Sequence, residues 1–307
     1  MSSLNEAKKI VELRRNLAIQ KTQDIRSKLL ENEDFKNAEN KLGGLDFERS
    51  RREVYKLDTS EIDKQISQAI LERDNALKKL GYSVDILQPE FACKICEDTG
   101  INNYKVCSCV EKERIKLEFE KYPELKSVPK SLDDIDFTIY DQQSKMFEKC
   151  AKYLKRNFVS EDRLSSIILF GATGVGKTYL AKTALLECML SGQDVMFVNA
   201  IRLNKMFLEY HLAALENKKQ ILQKANSCDA LVIDDLGVEP MLNNVTIPYL
   251  YELIIERASK KTIITTNLSQ RDLENRYGQR IFSRLMDKER SAVIKLQGKD
   301  LRLSLSK

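Results

Sequence analysis

Eight consecutive residues have a composition and spacing suited to holding phosphate groups. They match the pattern G-x-x-x-x-G-K-[ST] at every fixed position and read Gly171-Ala172-Thr173-Gly174-Val175-Gly176-Lys177-Thr178. Glycines let the backbone curl so that successive N–H groups point inward at phosphate oxygens. Lys177 is expected to contact the β- and γ-phosphates of a nucleotide, and the Thr178 hydroxyl to ligate Mg²⁺. The alternative is a chance match on a glycine-rich turn.

Two consecutive carboxylates, Asp234 and Asp235, end an apolar run that begins at Leu231. Such a run predicts a buried strand that delivers its acids to the sheet edge where ligands bind. There Asp234 is expected to hold the Mg²⁺ shell, and Asp235 to orient or deprotonate an attacking water. The alternative is two acids at an ordinary strand-to-turn junction.

A polar amide, Asn267, follows a further strand-like run, Thr262 to Thr266. At the end of that strand, the amide would lie where it can hydrogen-bond the γ-phosphate or the attacking water. Asparagine is also a common strand terminator, so its position alone is a weak signal. It gains weight as the third part of an ordered set.

Four of the seven cysteines lie within seventeen positions and form two close pairs, Cys93-x2-Cys96 and Cys107-x-Cys109. Two such pairs facing each other supply the four thiolates of a tetrahedral Zn²⁺ site. No open coordination position with a catalytic base is evident, so the zinc would be structural. A redox pair or unligated thiols are the alternatives. The remaining cysteines are expected to be small buried core side chains: Cys150, Cys188 and Cys228.

The elements that must position these residues alternate between strands and helices. Short apolar runs predict buried strands at residues 165–170, 194–199, 230–234 and 262–266. Helical stretches lie between them, so the pattern predicts an α/β fold with a parallel sheet covered on both faces. The phosphate loop lies between the first strand and a helix, Tyr179 to Leu190. The N-terminus of that helix adds partial positive charge to the loop.

Residues 1 to about 90 are charge-balanced and helical in pattern. Apolar residues at helical spacing indicate one helix over about 4–29, and another fits Ser60 to Leu80. Ser60 is expected to cap the second helix, Gly81 to end it, and Gly43-Gly44 to break the region between them. So polar a region is either a bundle that packs on the rest of the chain or a module that docks a partner.

Composition sets outer limits on function. The chain has 307 residues, 42% of them hydrophobic, which is enough for a substantial core. A net charge of +5 permits nucleic-acid contact without demanding it. The charged N-terminus does not resemble a secretory signal, and no apolar stretch is long enough to span a membrane. With the odd cysteine count, these features indicate a cytoplasmic protein. The single histidine, His211, lies in a polar helical stretch, so nothing in the sequence indicates that it acts as a general base.

The phosphate loop, the Asp-Asp strand and the Thr-Thr-Asn strand, in this order, resemble the AAA+ ATPases. Among these, residues 126–307 look like the DnaC/DnaI-type replicative helicase loaders and the related IstB-type transposition ATPases. Residues 91–125, with the four cysteines, look like the zinc-ribbon-like segment of the Gram-positive loaders. Residues 1–90 are similar to their helicase-binding region in length and helical character. The expected organisation is therefore a helical region, a zinc segment and an AAA+ P-loop domain.

Further roles follow from the resemblance alone. Arg284 looks like the arginine finger that reaches the γ-phosphate of a neighbouring subunit, with Arg280 assisting it. Arg302 looks like the sensor-2 arginine that binds nucleotide in cis; ordinary surface arginine is the alternative for each. Only 40 residues follow Asn267, too few for the usual helical lid, so a lidless core is expected. Asp-Asp replaces the usual Asp-Glu, which predicts slow ATP hydrolysis.

The resemblance implies an ATP-dependent loader. Its N-terminal region would bind the hexameric replicative DNA helicase, while its core would self-associate on single-stranded DNA. ATP and Mg²⁺ would act as a switch, with hydrolysis that depends on assembly or DNA. Two other functions stay open: an IstB-type transposition ATPase that coats duplex DNA, and a nucleotide-gated adaptor with negligible hydrolysis.

Overall fold

Three long helices form most of the N-terminal unit of the chain. The computed structural model describes residues 3–160 and 166–301, and the chain divides into two units, residues 1–114 and 115–307. In the first unit, α1 (Ser3–Leu29), α2 (Glu33–Val54) and α3 (Ser60–Lys79) follow one another. The prediction of helices over about 4–29 and 60–80 is therefore confirmed.

Helices α2 and α3 pack against each other as an antiparallel pair. Lys41 of α2 contacts Glu72 of α3 at 2.9 Å, whereas Arg49, further along α2, contacts Asp63, nearer the start of α3. The sequence order of these partners is opposite in the two helices. Exposed ion pairs of this kind contribute only about 0–1 kcal/mol each, so they fix register more than stability.

The predicted break at Gly43-Gly44 is wrong, because α2 continues through both glycines. Each glycine costs about 1 kcal/mol in a helix relative to alanine, and packing along α3 outweighs this local penalty. The chain breaks instead on both sides of α2, at residues 30–32 and 55–59. At the first break the side chain of Asn32 accepts a hydrogen bond from the Phe35 amide and caps α2.

The predicted cap of α3 is also displaced. Ser60 is the first helical residue and Thr59 holds the N-cap position, while the carboxylate of Asp58 accepts hydrogen bonds from the Ser60 amide and hydroxyl. An acidic side chain at a helix start interacts favourably with the exposed N–H groups there. Helix α3 ends before Gly81, as predicted, and Gly81 has a φ of +81°.

The cysteine segment completes the first unit. A two-stranded hairpin, β1 (Ile101–Asn102) and β2 (Lys105–Val106), separates the two cysteine pairs. Helix α4 (Ser108–Lys121) begins directly after Cys107, and the boundary between the two units falls within this helix. The hairpin reverses the chain, so the two cysteine pairs return toward each other.

The second unit is built on five parallel strands in the order β4-β5-β6-β3-β7. The strands are β3 (Ser166–Phe170), β4 (Val195–Asn199), β5 (Ala230–Asp234), β6 (Lys261–Thr266) and β7 (Ser291–Lys295). The helices are α5 (Ser144–Leu154), α6 (Lys177–Leu190), α7 (Ala200–Leu212), α8 (Leu215–Ser227), α9 (Thr246–Glu256) and α10 (Gln270–Leu285).

The sheet is covered on both faces, as predicted. Alternate side chains of β3 enter two different clusters: Ile167 and Leu169 pack with α5 and α6, whereas Ile168 and Phe170 pack with α7 to α10. This division follows from the two-residue period of a strand. The fold is therefore the expected α/β, AAA+-type P-loop core. Within residues 3–160 and 166–301, every helix is too short or too polar to cross a bilayer.

Three features of this unit were not predicted. Among the residues that the structure describes, strand β7 pairs only with β3, at the sheet edge, and its residues are half-buried or exposed. The helical stretch proposed after β4 is two helices, α7 and α8, which meet at residues 213–214. In α10 the backbone at Gly278 is not helical, so this element consists of two helical segments.

Candidate nucleotide site and candidate metal centre

The phosphate loop joins β3 to α6 and depends on its glycines. Gly174 and Gly176 have φ values of +77° and +100°, in the region that favours glycine. At Gly171 the constraint is space, because a Cβ there would lie 2.4 Å from the carbonyl oxygen of Leu296. Gly176 is also the N-cap of α6, so the amides at the start of that helix border the loop.

Lys177 is held at the centre of the loop. Its side chain is buried, and its ammonium donates to the carbonyl oxygens of Gly171 and Ala172 at 2.8 and 2.7 Å. It also donates to Oδ1 of Asn267 at 2.6 Å. The amide nitrogen of Asn267 lies 3.4 Å from Oδ1 of Asp235, so these three predicted residues lie together.

Thr178 contacts the first of the two predicted carboxylates. Its hydroxyl donates to Oδ1 of Asp234 at 2.8 Å. Burial, and then the neighbouring Asp235, raise the pKa of Asp234, while hydrogen bonds from two hydroxyl groups oppose the rise. A buried carboxylate beside a hydroxyl is a donor set that suits Mg²⁺, which prefers oxygen ligands and retains waters. Thr178 and Asp234 would hold that ion, which neutralises phosphate charge when bound.

Thr265 is a site residue that the sequence analysis missed. This fully buried side chain lies on β6, between β5 and β3. Its hydroxyl donates to Oδ1 of Asp234 at 2.7 Å and accepts from the backbone N–H of Asp235 at 2.8 Å. Asp235 has a φ of +54°, which is costly for a residue other than glycine, and Thr265 secures that conformation.

A cavity of about 450 Å³ opens beside the loop. It is lined by the loop together with Asp235 and Asn267, and by apolar and aromatic side chains: Val128, Ile139, Tyr140, Tyr179 and Leu301. Tyr140 stacks on Phe147 with a centroid distance of 3.8 Å. Burial raises the pKa of the Tyr140 hydroxyl, which is buried without a hydrogen-bond partner among the described residues. No sequence motif marks these apolar and aromatic lining residues.

Of the three arginines that the resemblance suggested, the two that the structure describes are not at the cavity. Arg280 and Arg284 are exposed on the second helical segment of α10, and neither lines the cavity. Arg302 lies outside the described residues. The residue just before it contacts the phosphate loop, because the backbone N–H of Leu301 donates to the carbonyl oxygen of Gly174 at 3.0 Å.

The four cysteines of the N-terminal unit form one cluster, in which all four sulfur atoms lie within 4.8 Å of one another. The Cys93–Cys107 and Cys96–Cys109 sulfur distances are 3.8 and 3.5 Å. Four sulfurs about 2.3 Å from a tetrahedral zinc would stand about 3.8 Å apart, so the cluster fits that ion. The closest pairs join the two cysteine knuckles across the hairpin.

The pKa values of the clustered thiols also bear on cation binding. Backbone N–H groups of Cys96 and Ile95 lower the pKa of the Cys93 thiol to about 7, which favours its thiolate near neutral pH. Burial and the neighbouring thiols raise the pKa of Cys109. A bound cation would offset that repulsion, since metal binding displaces the thiol protons.

The fold and the phosphate-loop geometry define an ATP-binding protein of the AAA+ class. Residues 110–307, more than half of the chain, match the family described as IstB-like ATP binding protein, and the chain belongs to that family. Nucleotide and Mg²⁺ binding follow from this membership. The family match does not include the first 109 residues.

Curated relatives come from two functional groups. The chain is 27% identical over 179 residues to a Pseudomonas aeruginosa protein of insertion sequence IS21 described as ATP-binding, covering 57% of this chain and 64% of the relative. It is 25% identical over 134 residues to the replicative helicase loader DnaC of Escherichia coli K12, covering 42% and 54%. A third relative, described as an ATP-binding protein of insertion sequence IS5376 from Geobacillus stearothermophilus, is 30% identical over 139 residues, covering 45% and 52%. The chain thus spans about half to two thirds of the length of these relatives.

Proposed function

We propose that this chain is an ATP-hydrolysing replicative helicase loader that acts in the cytoplasm. The observation that carries the ATPase part is that one side chain joins the phosphate loop to the ends of two neighbouring strands. Lys177 follows β3, Asp235 follows β5 and Asn267 follows β6, and the Asn267 side chain contacts the other two. This arrangement places a cation, a carboxylate and an amide where a γ-phosphate and a water would meet.

In this proposal each side chain has a separate task. The loop amides and Lys177 bind the phosphates, while Thr178 and Asp234 hold Mg²⁺. Asp235 orients the attacking water and accepts its proton, and Asn267 fixes the distance between Asp235 and Lys177. Turnover is slow, because the Asp235 carboxylate is one methylene shorter than the glutamate usual in AAA+ proteins. Slow hydrolysis suits a switch better than a motor.

The arginines complete the proposed site on assembly. Arg284 is exposed and does not line the cavity of its own chain, which suits a group that acts on the nucleotide of a neighbouring copy. Arg280 lies four residues earlier on the same helical segment and assists it. Guanidinium groups neutralise charge on the transferring phosphoryl group, so hydrolysis depends on self-association. Arg302 is proposed to bind nucleotide within its own chain.

The loader assignment rests on the N-terminal unit. Residues 1–114 form a separate unit with three helices and a four-cysteine cluster that fits structural zinc. The DnaC relative is named as a replicative helicase loader. We assign binding of the helicase hexamer to this unit and binding of single-stranded DNA to assembled AAA+ cores. ATP would hold the DNA-competent assembly, and hydrolysis would release it.

A transposition ATPase is the second candidate function. The family description and the two insertion-sequence relatives favour it. In that role the same nucleotide site would control assembly on duplex DNA and recruitment of a transposase. A nucleotide-gated adaptor without hydrolysis is the third, favoured only by the short Asp235 side chain.

The test is to mix the full-length chain with the replicative helicase of its host in Mg-ATP and measure the complex mass by light scattering. We expect a stoichiometric complex and ATP hydrolysis stimulated by single-stranded DNA. Absence of a complex, with ATP-dependent assembly on duplex DNA instead, would assign the transposition function. A complex without measurable hydrolysis would assign the adaptor function.

A further inference from the structure

Asp98 is an acidic side chain of the cysteine segment that is completely buried. Its Oδ1 accepts from the backbone N–H of Cys93 at 3.0 Å and from Nη2 of Arg14 at 2.6 Å. Its Oδ2 accepts from the backbone N–H of Ala92 at 2.8 Å. One carboxylate therefore ties the first cysteine knuckle to a side chain of α1.

The backbone around this carboxylate needs external support. Glu97 and Asp98 have φ values of +49° and +55°, and they directly follow Cys96. Each residue other than glycine in this conformation costs on the order of 1–3 kcal/mol and persists only where its surroundings impose it. The contacts from Asp98 back to Ala92 and Cys93 close the turn that carries the first two sulfur atoms. Asp98 is thus placed to set the geometry of the cysteine pair.

Two further side chains of α1, Arg15 and Val11, contact the cysteine segment, and Arg14 makes a second contact with α4. Arg15 donates to the carbonyl oxygen of Glu97, and its guanidinium lies 4.8 Å from the centre of the Phe91 ring. Nη1 of Arg14 lies 3.6 Å from Glu113 of α4. Val11 is completely buried, and a Cβ on Gly100 would lie 3.9 Å from it.

We propose that Asp98 and Arg14 form a metal-dependent joint that orders the N-terminal half of α1. Asp98 is a positioning residue. It holds Cys93 and Cys96 in the geometry of metal ligands, and its hydrogen bond from Arg14 connects that turn to α1. A filled four-sulfur site fixes the turn, and the turn fixes residues 3–17 of α1. Loss of the metal releases this segment, while α2 and α3, which pack on each other, stay folded. The inference rests on the proposed zinc site and is independent of the helicase.

The experiment uses the full-length protein without nucleotide, DNA or helicase, and measures two quantities. Zn²⁺ affinity is measured by competition with a chromogenic chelator, and amide hydrogen exchange is followed in peptides from residues 3–17 and 33–79. In the parent protein, chelation is expected to raise exchange at least tenfold in 3–17 and to leave 33–79 unchanged. Asp98→Asn is expected to weaken Zn²⁺ binding about 10- to 100-fold, the usual effect of removing a partner of a metal ligand.

Arg14→Ala separates the two halves of the joint. This side chain is partly exposed, so the variant is expected to fold, to bind Zn²⁺ within a few-fold of the parent, and to show raised exchange in 3–17 even with zinc bound. The matched control is Arg26→Ala, which removes an exposed ion pair between the same helix and Glu39 and is expected to change neither quantity. Asp98→Glu, which keeps the charge, tests the site if the asparagine variant is unstable.

The outcomes distinguish this inference from the proposed function. A parent protein that binds no Zn²⁺ overturns the metal site itself, and the joint with it. Zinc binding that is unchanged in both Asp98 variants overturns the positioning role alone. Exchange in 3–17 that chelation and Arg14→Ala both leave unchanged overturns the coupling to α1. Absence of zinc binding would also remove one feature cited for the loader assignment, whereas the other results leave ATP hydrolysis and helicase binding by the proposed loader untouched.

Discussion

The ammonium of Lys177 donates to Oδ1 of Asn267 across 2.6 Å, which joins the phosphate loop to the end of β6. Asn267 also contacts Asp235, so one amide links the group that binds phosphate to the group assigned to water. Lys177 is the first residue of α6, whereas Asp235 and Asn267 directly follow β5 and β6. Substitutions of Lys177 and Asn267 are expected to affect different steps, nucleotide binding for Lys177 and the rate of hydrolysis for Asn267.

Lys177→Ala is expected to abolish nucleotide binding. The substitution removes the only side-chain cation that the described structure places inside the loop, and the glycine-rich backbone alone compensates poorly. Titration with a fluorescent ATP analogue checks this, with Lys152→Ala as a control at an exposed lysine paired with Glu148. Unchanged ATP affinity in the Lys177 variant would refute the assignment of the phosphate loop.

Asn267→Ala is expected to retain ATP binding within about tenfold and to lose about 10²-fold in hydrolysis rate, the scale of misplacing a reacting group by about 1 Å. Single-turnover hydrolysis with saturating ATP is the measurement. A loss confined to affinity, with the rate at saturation preserved, would remove Asn267 from water positioning and leave it as a partner of Lys177.

Thr265→Val keeps the shape of a fully buried side chain and deletes its hydroxyl. The variant leaves Asp234 without one donor and the Asp235 amide without its acceptor. The free energy of unfolding is therefore expected to fall by about 1–3 kcal/mol. Hydrolysis should fall as well, because Asp235 loses the contact that secures its backbone. Urea unfolding and ATPase rates measure the two effects. Thr265→Ser restores the hydroxyl and is expected to recover most of both.

Arg284→Ala is expected to keep ATP binding and to lose about 10³-fold or more in assembly-dependent hydrolysis. Mixing this variant with Lys177→Ala gives a direct test of action between subunits, because one protein lacks a nucleotide site and the other lacks the arginine. Partial recovery of hydrolysis in the mixture is the expected outcome if intact partner pairs can form. Arg271→Ala, an exposed arginine on the first segment of α10, is the matched control, and equal losses in both variants would contradict the assignment.

Removal of metal should change the number of reactive thiols. Burial raises the pKa of Cys150 to about 12 and also raises that of Cys228, so both stay protonated and unreactive in the folded protein near neutral pH. Zinc would protect the four clustered thiols. Titration with a thiol reagent should therefore count few reactive groups in the zinc-loaded protein, four after chelation and seven after unfolding. Four fast-reacting thiols before chelation would show that no metal protects them.

The sequence predicted the elements whose local pattern and tertiary environment agree. Strand β5 is continuously apolar and ends in acids because it is buried on both faces, and the glycine spacing of the phosphate loop reflects its backbone directly. Strand β7 was missed because an edge strand with half-exposed side chains lacks such a run. Gly43-Gly44 was misread because local helix propensity is weaker than the packing of α2 on α3.

Part of the site depends on register, which single-sequence patterns do not encode. Thr265 is typical of a strand in composition, and its role arises only because β6 lies between β5 and β3 in the sheet order. Tyr140 reaches the cavity from a segment with no motif, through stacking on Phe147. Both positions are set by tertiary contacts between distant parts of the chain.

Gly278 divides α10 into two helical segments. The second segment carries the exposed arginines Arg280 and Arg284. Its φ and ψ of 83° and 162° belong to a region that is essentially reserved for glycine, although a Cβ there would meet nothing within 4 Å. The obstacle to any other residue is therefore the backbone torsion and not steric crowding. Gly278 thus sets the direction of Arg280 and Arg284 together with the buried Ile281 and Leu285 of the same segment, so a change at Gly278 would re-aim both arginines while leaving their chemistry intact.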